Sequence, residues 1–491
     1  MLAEALRLTT SQANIDELTA QLEAELKQCE VTTVSYRNKL KQFMIENEIW
    51  QINELNYYWR EKYREYLKHR MSKTSCESYI KTFDRVKLHS LRKQSQIILA
   101  GKRQRPEYAD EILYLPYHPN IEIAERFYKE NNKNLLAWDF TLKAAEKLKR
   151  QIFQILHYFI ENAANSERMH AQLGGLARLY DFCVLEQIED LEKLEIDQIE
   201  RFQKTFATEY QRHYYAGVTF WCGRALFMEA EEIHWDANVW YMERMRLQPE
   251  RIDPAAPVMS LSFAEVTNKE NRKLLQKYLR YGIGITNLSI SNLRTEFLVV
   301  RKFLGDMNQP ETENICMVTE QQMDAWLRSE QQREVQADTF NKKVMCILHF
   351  FQYLQIKDYI TAIPFDPNYY LKKTFMQHHD RSVAQETMDQ IRRNLYRFPE
   401  EVRLMYLHLW GVGLRISEVC TLKGNAYYLQ GKDAWIQVYQ TKMRTYKRIP
   451  IPMTLYQLMQ VYITKYQRKA EEYIFQNRNG GAYRKTTFNK Q

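Results

Sequence analysis

An arginine and a glutamate, Arg415 and Glu418, follow two glycines in the stretch WGVGLRISEVCTLKG, residues 410–424. An apolar segment runs into Gly411 and Gly413, where glycine can adopt a positive φ and end a helix. Arg415 then lies in the first turn of the next helix, where the helix dipole favours anions rather than cations. Arg415 therefore needs either Glu418 as an ion-pair partner or an anionic ligand. A phosphate bound by the guanidinium and nearby backbone N–H groups, with Glu418 orienting the guanidinium, is such a ligand.

The two glycines do not belong to a nucleotide-binding loop. A dinucleotide fingerprint requires a third glycine at the position of Ile416, and a P-loop requires Gly-Lys-Ser/Thr, which is absent here. Both motifs also follow a strand, whereas the preceding residues have a helical pattern.

A second group of cations lies in YQTKMRTYKRIPIP, residues 439–452. Lys442 is placed where one strand ends, and Arg444, Lys447 and Arg448 lie around the turn and on the return strand. A lysine at a hairpin tip can donate a proton or contact a phosphate. The alternative is protection of an exposed strand edge, for which lysine is common.

The elements around these residues change character at Gly424. Before it, Ser382 and Gln385 have the spacing of a capping box, and the helix that follows is expected to turn Met388, Ile391 and Leu395 inward. A second helix is predicted over 402–410. After Gly424 the period becomes two, which predicts a three-stranded antiparallel meander with a turn at 431–433, and then a helix over 454–469.

The 491 residues suffice for three or four domains, and the low counts of glycine (14) and proline (12) predict a mainly helical chain. Proline clusters separate four blocks. These are an N-terminal helical region at 1–105, a second helical module at 120–246, a third block at 258–365 and a last block at 381–491. In the third block, one apolar helical face is formed by Leu293, Phe297, Val300 and Leu304. A capping box follows, with Thr319 and Gln322 at its spacing.

Two segments, LYDFCVLEQIEDL and LHFFQYLQIKDYI, share an apolar run followed by Ile-x-Asp. This similarity suggests duplicated helical modules, and chance similarity between two helices is the alternative.

Charge and cysteine usage restrict the function classes. The formal net charge is +9, and the residues from 381 onward hold 19 Lys/Arg against 8 Asp/Glu, so the positive excess lies there. This excess indicates a polyanionic partner, or else a solvated basic face. Seven scattered cysteines without a Cys-x-x-Cys pair favour free thiols in the cytoplasm and argue against a zinc site. No membrane span or secretory signal is predicted.

Taken together, the two cation groups resemble the tyrosine recombinases, the phage integrase type of site-specific DNA recombinase. GVGLRISEVCTLKG is similar to the family's first box, which falls here on Gly413, Arg415, Glu418 and Leu422. TKMRTYKRIPIP is similar to the family's β-hairpin, whose catalytic lysine falls on Lys442. YIFQNRNGGAYRKTTF is similar to the segment that leads toward the family's second box.

The resemblance implies a fold that is mainly α with a small antiparallel β-sheet. It implies helical N-terminal modules, a helical (SAM-like) core-binding domain at 258–365 and an α+β catalytic domain at 381–491, which clamp duplex DNA. A tyrosine forms a 3′-phosphotyrosine link, arginines neutralise the phosphate and the lysine protonates the leaving oxygen, with no metal or cofactor. Arg415 and Lys442 are then catalytic, Glu418 orients Arg415, and DNA contacts fall on Arg444, Lys447 and Arg448.

The resemblance also implies a homo-oligomer on double-stranded DNA, a tetrameric synapse, in the cytoplasm and at the nucleoid when bound. The reaction would be site-specific recombination or integration by a mobile genetic element.

The family's His-x-x-Arg box and nucleophilic tyrosine follow the YIF…GG segment. The His-x-x-Arg at 378–381 precedes the first box, and Tyr473 and Tyr483 also come too early. We therefore expect a catalytic domain that is truncated at its C-terminus, binds DNA and is inactive alone. The alternatives are a non-catalytic DNA-binding or assembly protein and a type IB topoisomerase, which uses a similar arrangement of Arg and Lys.

Overall fold

The computed structural model describes residues 12–29, 33–68, 70–97, 107–130, 135–215, 217–375 and 382–490. The architecture is mainly α-helical with small antiparallel sheets, so the predicted fold class is confirmed. Contacts divide the chain into two compact units, Met1–Glu229 and Ala230–Gln491.

The first unit consists of helices and one pair of short strands. Its helices are α1 (Gln12–Gln28), α2 (Val34–Glu46), α3 (Tyr57–Lys68), α4 (Lys73–Ile97), α5 (Ile121–Tyr128), α6 (Glu146–Asn162), α7 (Ser166–Leu185), α8 (Ile196–Lys204), α9 (Glu209–Tyr215) and α10 (Val218–Glu229). Strands β1 (Ile112–Tyr114) and β2 (Ala137–Asp139) pair antiparallel, with Leu113 opposite Trp138.

The second unit combines a helical part with the three-stranded sheet. Its helices are α11 (Lys269–Gly284), α12 (Ile290–Met307), α13 (Glu320–Gln332), α14 (Ala337–Ile356), α15 (Gln385–Asn394), α16 (Glu400–Gly411), α17 (Ile416–Cys420), α18 (Met453–Lys465) and α19 (Lys485–Phe488). Its strands are β3 (Val239–Tyr241), β4 (Ser260–Ser262), β5 (Tyr427–Gln430), β6 (Asp433–Gln440) and β7 (Thr445–Ile451).

Several predicted elements of the second unit are confirmed. The apolar face of α12 is buried, with Leu293, Phe297, Val300 and Leu304 each at most 3% exposed. Thr319 caps α13, since its hydroxyl accepts from the backbone N–H of Gln322 and the Gln322 side chain accepts from that of Thr319. The meander is also present, in the order β5-β6-β7.

The capping box predicted at Ser382 and Gln385 is wrong. Helix α15 begins at Gln385 itself, and its N-cap is Ala384, which has no side-chain oxygen to accept a hydrogen bond. Ser382 therefore lies outside the helix. The residues expected to face inward, Met388, Ile391 and Leu395, are only half-buried.

The short strand pairs of the two units were not predicted, and their backbone hydrogen bonds correspond to each other. Just after β1 the N–H of Leu115 donates to Leu136 O at 2.7 Å, and just after β3 the N–H of Met242 donates to Met259 O at 2.9 Å. Just after β2, the N–H of Phe140 donates to the backbone O of Glu111, which precedes β1. Just after β4, the N–H of Phe263 donates in the same way to the backbone O of Asn238, which precedes β3.

The correspondence continues through the helices that follow. Helices α7 and α12 are each followed by a residue with positive φ, Gln187 at 54° and Asn308 at 40°. Each unit then forms a 3₁₀ turn, at Leu191–Lys193 and at Ile315–Met317, capped by Asp190 and Asn314.

The next helices, α8 and α13, also begin alike. The side-chain oxygens of Gln198 and Gln322 each accept from the N-cap backbone N–H at 2.9 Å. The two units thus contain one supersecondary module each, with equivalent α7 and α12. The sequence similarity noted above pairs α7 with α14, and Asp358 just after α14 also has a positive φ, 58°.

Within the described ranges, no helix combines the length and apolar composition that crossing a membrane requires. The same residues contain no group of three or more His, Cys, Asp or Glu side chains that could hold a metal ion.

Candidate functional site

The glycine turn between α16 and α17 has the conformation that the sequence predicts. Gly413 has a φ of +70°, and the N–H of the next residue, Leu414, donates back to His408 O at 3.3 Å. A Cβ at Gly413 would meet no neighbouring atom, so the backbone angle rather than space requires glycine here. Arg415 is the extended N-cap residue of α17 (φ −75°, ψ 149°), not a residue of its first turn as predicted.

Glu418 is the centre of the site. Its side chain is 3% exposed and accepts hydrogen bonds from four donors. Oε2 accepts from the Arg415 backbone N–H at 2.9 Å and from Lys447 Nζ at 3.0 Å. Oε1 accepts from Arg415 Nη1 at 3.0 Å and from Gln440 Nε2 at 3.1 Å. One buried carboxylate therefore joins the start of α17 to strands β6 and β7.

The ionisation state of Glu418 follows from this environment. Burial raises the pKa of the Glu418 carboxyl, but hydrogen bonds from the Arg415 backbone, Lys447 and Gln440 outweigh burial, and the pKa is lowered overall. The group is then a carboxylate at neutral pH, with two cations beside it and a net charge of one positive unit.

The two cations are available to solvent to different degrees. The Arg415 side chain is 65% exposed, so the guanidinium can bind a second anion while one of its nitrogens remains on Glu418. The Lys447 side chain is 26% exposed and lies on the same carboxylate. The sequence interpretation assigned Lys447 to DNA contacts on the hairpin and missed its place beside Arg415.

The register of the sheet brings Lys447 to this position. Residues of β6 and β7 pair as Val438 with Lys447 and as Gln440 with Thr445. Arg448, the next residue of β7, therefore points to the other face, where its side chain is exposed and Nε donates to Gln437 Oε1 at 3.3 Å.

The hairpin tip holds the other two predicted site residues. Strand β6 ends at Gln440, so Lys442 lies in the turn 441–444, not at the strand end, and its side chain is exposed. Arg444 has a φ of +53°, and its Nη2 donates to the backbone O of Asn287 at 2.6 Å. Asn287 lies between α11 and α12, so Arg444 fixes the hairpin tip to the helical part of this unit.

A buried histidine that the sequence patterns do not single out, His408, connects α16 to the three-stranded sheet. His408 Nδ1 lies 2.6 Å from Leu404 O, so it donates, and Nε2 then accepts from the Tyr427 hydroxyl at 2.6 Å. Burial lowers the pKa of His408 to about 4, so the ring is neutral. His408 therefore ties α16 to β5 and has no access to a ligand.

The two late tyrosines differ in their exposure to solvent. Tyr483 is 8% exposed within the core of the sheet, and burial raises the pKa of its phenol. Tyr473 forms an isolated antiparallel bridge with Lys423 and is half-buried. The His-x-x-Arg at 378–381 lies outside the described residues.

Known proteins resemble part of this chain. The model of the phage integrase family matches residues 381–491. Transposase B from transposon PsiTn554 of Staphylococcus aureus is 22% identical over 270 residues, which are 53% of this chain and 42% of the transposase. Transposase B from transposon Tn554 of the same species is 23% identical over the same coverage. The match thus spans less than half the length of these relatives.

Two solved structures also align with this chain. XerH site-specific recombinase bound to difH substrate aligns with a TM-score of 0.32 and 14% identity, over 46% of this chain and 70% of that one. The Tn1549 transposon integrase in complex with circular intermediate DNA aligns with a TM-score of 0.31 and 17% identity, over 43% and 74%.

The family match covers the whole of the site built above, from the glycine turn through Arg415 and Glu418 to the β6–β7 hairpin. The resemblance to the tyrosine recombinases of the phage integrase type is therefore confirmed over residues 381–491, where the model of that family matches.

Proposed function

We propose that this chain is a DNA recombinase component of a mobile genetic element, and that Arg415 binds a backbone phosphate of duplex DNA. The observation that carries the proposal is the buried Glu418 carboxylate, which holds Arg415 and Lys447 side by side while leaving the guanidinium 65% exposed. Planar guanidinium groups match the geometry of phosphate oxygens. The names of the relatives, transposases of transposons, support the mobile element.

The chemistry proposed for the site is phosphoryl transfer, in which positioning and charge neutralisation lower the barrier. Arg415 would neutralise the non-bridging oxygens, with Glu418 orienting it. Lys442, on the exposed hairpin turn, would reach the leaving oxygen and protonate it. The attacking tyrosine, the 3′-phosphotyrosine link, the homo-oligomeric synapse and the location in the cytoplasm are proposed from the family resemblance.

Domain roles follow the same proposal. Residues 258–365 would be the core-binding domain, and residues 381–491 the catalytic domain. Arg444 would link the two, because it joins the catalytic hairpin to the loop after α11.

We expect DNA affinity to fall steeply with salt, because Lys and Arg side chains that contact phosphates release counterions. Lys442→Gln and Arg448→Gln should each reduce the slope of log K against log salt by about 0.9 for duplex DNA. Fluorescence anisotropy of a labelled duplex between about 50 and 200 mM salt measures both slopes.

Lys465→Gln is the matched control. Lys465, at the end of α18, already pairs with Glu400 of α16 at 2.7 Å. An affinity that does not change with salt would contradict DNA binding through this basic block. A slope that falls equally in the control would remove the hairpin from the interface.

We expect the 491-residue chain to bind DNA without forming a covalent adduct. Covalent catalysis requires an exposed and positioned nucleophile, whereas Tyr483 is buried in the core and Tyr473 is half-buried, with its backbone paired to Lys423. A denaturing gel after incubation with a nicked suicide substrate measures this. An adduct that Tyr473→Phe or Tyr483→Phe abolishes would overturn the expectation.

The exposed Arg415 beside Glu418 also fits a second candidate function, a DNA-binding protein that binds a phosphate without cleaving its site. The two candidates differ in whether the tyrosine hydroxyl of another protomer attacks a phosphate of DNA bound at Arg415, forming a phosphotyrosine bond while the 5′-oxygen leaves as a hydroxyl. The test mixes this chain with a catalytically active protomer. An adduct that forms with wild type but is lost when Arg415 of this chain is replaced would decide for the recombinase.

A further inference from the structure

A cleft with aromatic and cationic walls lies in the second unit, outside the Glu418 site. Its volume is about 720 Å³, within the range of roughly 300–1,000 Å³ that small-molecule pockets occupy. The side chains that define its chemistry are Trp235, Arg246, Lys277, Arg280, Tyr281 and Tyr353. We call it the aromatic cleft.

The cations of the aromatic cleft pack on rings rather than on carboxylates. The Arg280 guanidinium lies 4.8 Å from the ring centre of Trp235. Lys277 Nζ lies 5.1 Å from the ring centre of Tyr359 and 3.0 Å from its hydroxyl. Among the described residues that line the cleft there is no Asp or Glu. The positive charge of Lys277 and Arg280 is therefore not neutralised within the cleft.

A buried arginine fixes one wall. Arg251 is 8% exposed and donates to three backbone carbonyls around the end of α11, those of Gly282, Ile283 and Leu288, at 2.7 to 3.1 Å. Because its hydrogen bonds hold the α11–α12 loop, the cleft is formed before any ligand arrives.

An aromatic wall and unneutralised cations together select a particular class of ligand. Arginine planes and aromatic rings stack on unpaired bases, and nearby cations bind the phosphates. We propose that the aromatic cleft binds an unpaired nucleotide, with its base against Trp235 or Tyr281 and its phosphate on Lys277 and Arg280. Neither the family match, which begins at residue 381, nor the proposed function assigns this site.

The position of the aromatic cleft suggests a role for it in handling DNA. Asn287 lines the cleft and accepts the hydrogen bond from Arg444 of the β6–β7 hairpin. A strand that leaves its duplex near the hairpin would therefore meet the cleft next. The nucleotide can come from such a strand or from free solution, and the chemistry of recognition is the same.

The test uses the full chain and three probes: a short fluorescent oligo-dT, an oligonucleotide of the same length with abasic sites, and dTMP as competitor. Lys277→Gln and Arg280→Gln should each weaken oligo-dT binding, and the salt slope should fall by about 0.7 for each charge removed. The abasic oligonucleotide should bind roughly tenfold more weakly, because base stacking is lost.

The matched control is Lys273→Gln, one turn away on the same helix, where the lysine is exposed and paired with Glu270 at 2.7 Å. This control should leave oligo-dT binding unchanged, and thermal unfolding should show all three variants folded. Competition by dTMP would support the site with a free nucleotide as the ligand, and lack of competition alongside oligo-dT binding would support it with a strand.

The proposal is overturned by oligo-dT binding that is unaffected by Lys277→Gln and Arg280→Gln, by equal loss in Lys273→Gln, or by equal affinity for the abasic oligonucleotide. Tighter binding of an acidic peptide than of oligo-dT would also overturn it and assign the cleft to a protein partner. The proposed function attributes duplex binding to Arg415. Loss or retention of duplex binding therefore tests that function and not the aromatic cleft.

Discussion

Arg415→Ala should lower the affinity of the protein for duplex DNA by roughly tenfold or more while leaving its folding free energy nearly unchanged. A charge-assisted hydrogen bond contributes about 1.5–3 kcal/mol, and about 1.4 kcal/mol corresponds to a factor of ten in affinity. The Arg415 side chain is 65% exposed, so its ion pair with Glu418 is screened by solvent and adds little to stability. Anisotropy titrations and thermal unfolding of the same samples measure the two effects.

Two variants serve as controls for Arg415→Ala. Arg415→Lys keeps the charge but loses the planar fork, so it should recover only part of the affinity. Arg478→Ala removes an exposed arginine elsewhere in the same block and should have a smaller effect on affinity. If Arg415→Ala unfolds the protein instead, Arg415 is a structural ion-pair member and the proposed phosphate site is wrong.

Glu418→Gln should destabilise the protein by about 3 kcal/mol at neutral pH. Breaking a buried ion pair costs about 3–5 kcal/mol, and the lower end applies because Arg415 remains hydrated. The variant leaves Lys447 and Arg415 close together without the carboxylate that separates them. Chemical denaturation, followed by a probe in the second unit, measures the loss.

The same pair of proteins gives a pH dependence with a defined sign. The pKa of Glu418 is lowered from its ordinary value of 4.5, so its contribution to stability is complete above that pH. The contribution is lost as the pH falls through the lower, folded-state pKa. The difference in unfolding free energy between wild type and Glu418→Gln should therefore be constant near neutral pH and shrink in acid.

Glu400→Gln is the control for this experiment, because Glu400 also has a lowered pKa but pairs with Lys465 on the surface. Glu400→Gln should lower the free energy of unfolding by only about 0–1 kcal/mol, the range that surface ion pairs show. A Glu418→Gln variant as stable as the Glu400→Gln control would mean that the carboxylate does not hold the site together.

The local part of the site could be predicted from the sequence because its contacts span few residues. The glycine turn and the Arg415–Glu418 contact depend on spacings of two and three positions, which helix geometry determines. The convergence of Gln440 and Lys447 on Glu418 could not be predicted in the same way. It depends on the register of β6 and β7 and on how the sheet packs beside α17, and neither is encoded locally.

Other differences have equally physical causes. Strands of three residues, such as β1 and β3, are too short to show a period of two, so the repeat of the two modules escaped the sequence patterns. The repeat is visible in backbone hydrogen bonds, which do not depend on the side chains. It is also visible in helix caps, which side chains of different types can form. At α15 the sequence offered a Ser-x-x-Gln spacing, but the helix starts later than the serine.

Binding of one backbone phosphate of duplex DNA by Arg415 is the central proposal for this protein. The direct measurement uses a duplex that binds in a single register, obtained by selection from random sequence, in which each phosphate in turn is replaced by a neutral methylphosphonate. We expect one position where the replacement weakens wild-type binding about as much as Arg415→Ala does and has no further effect on the Arg415→Ala variant. Losses that simply add at every position would show that Arg415 binds no phosphate and would contradict this proposal.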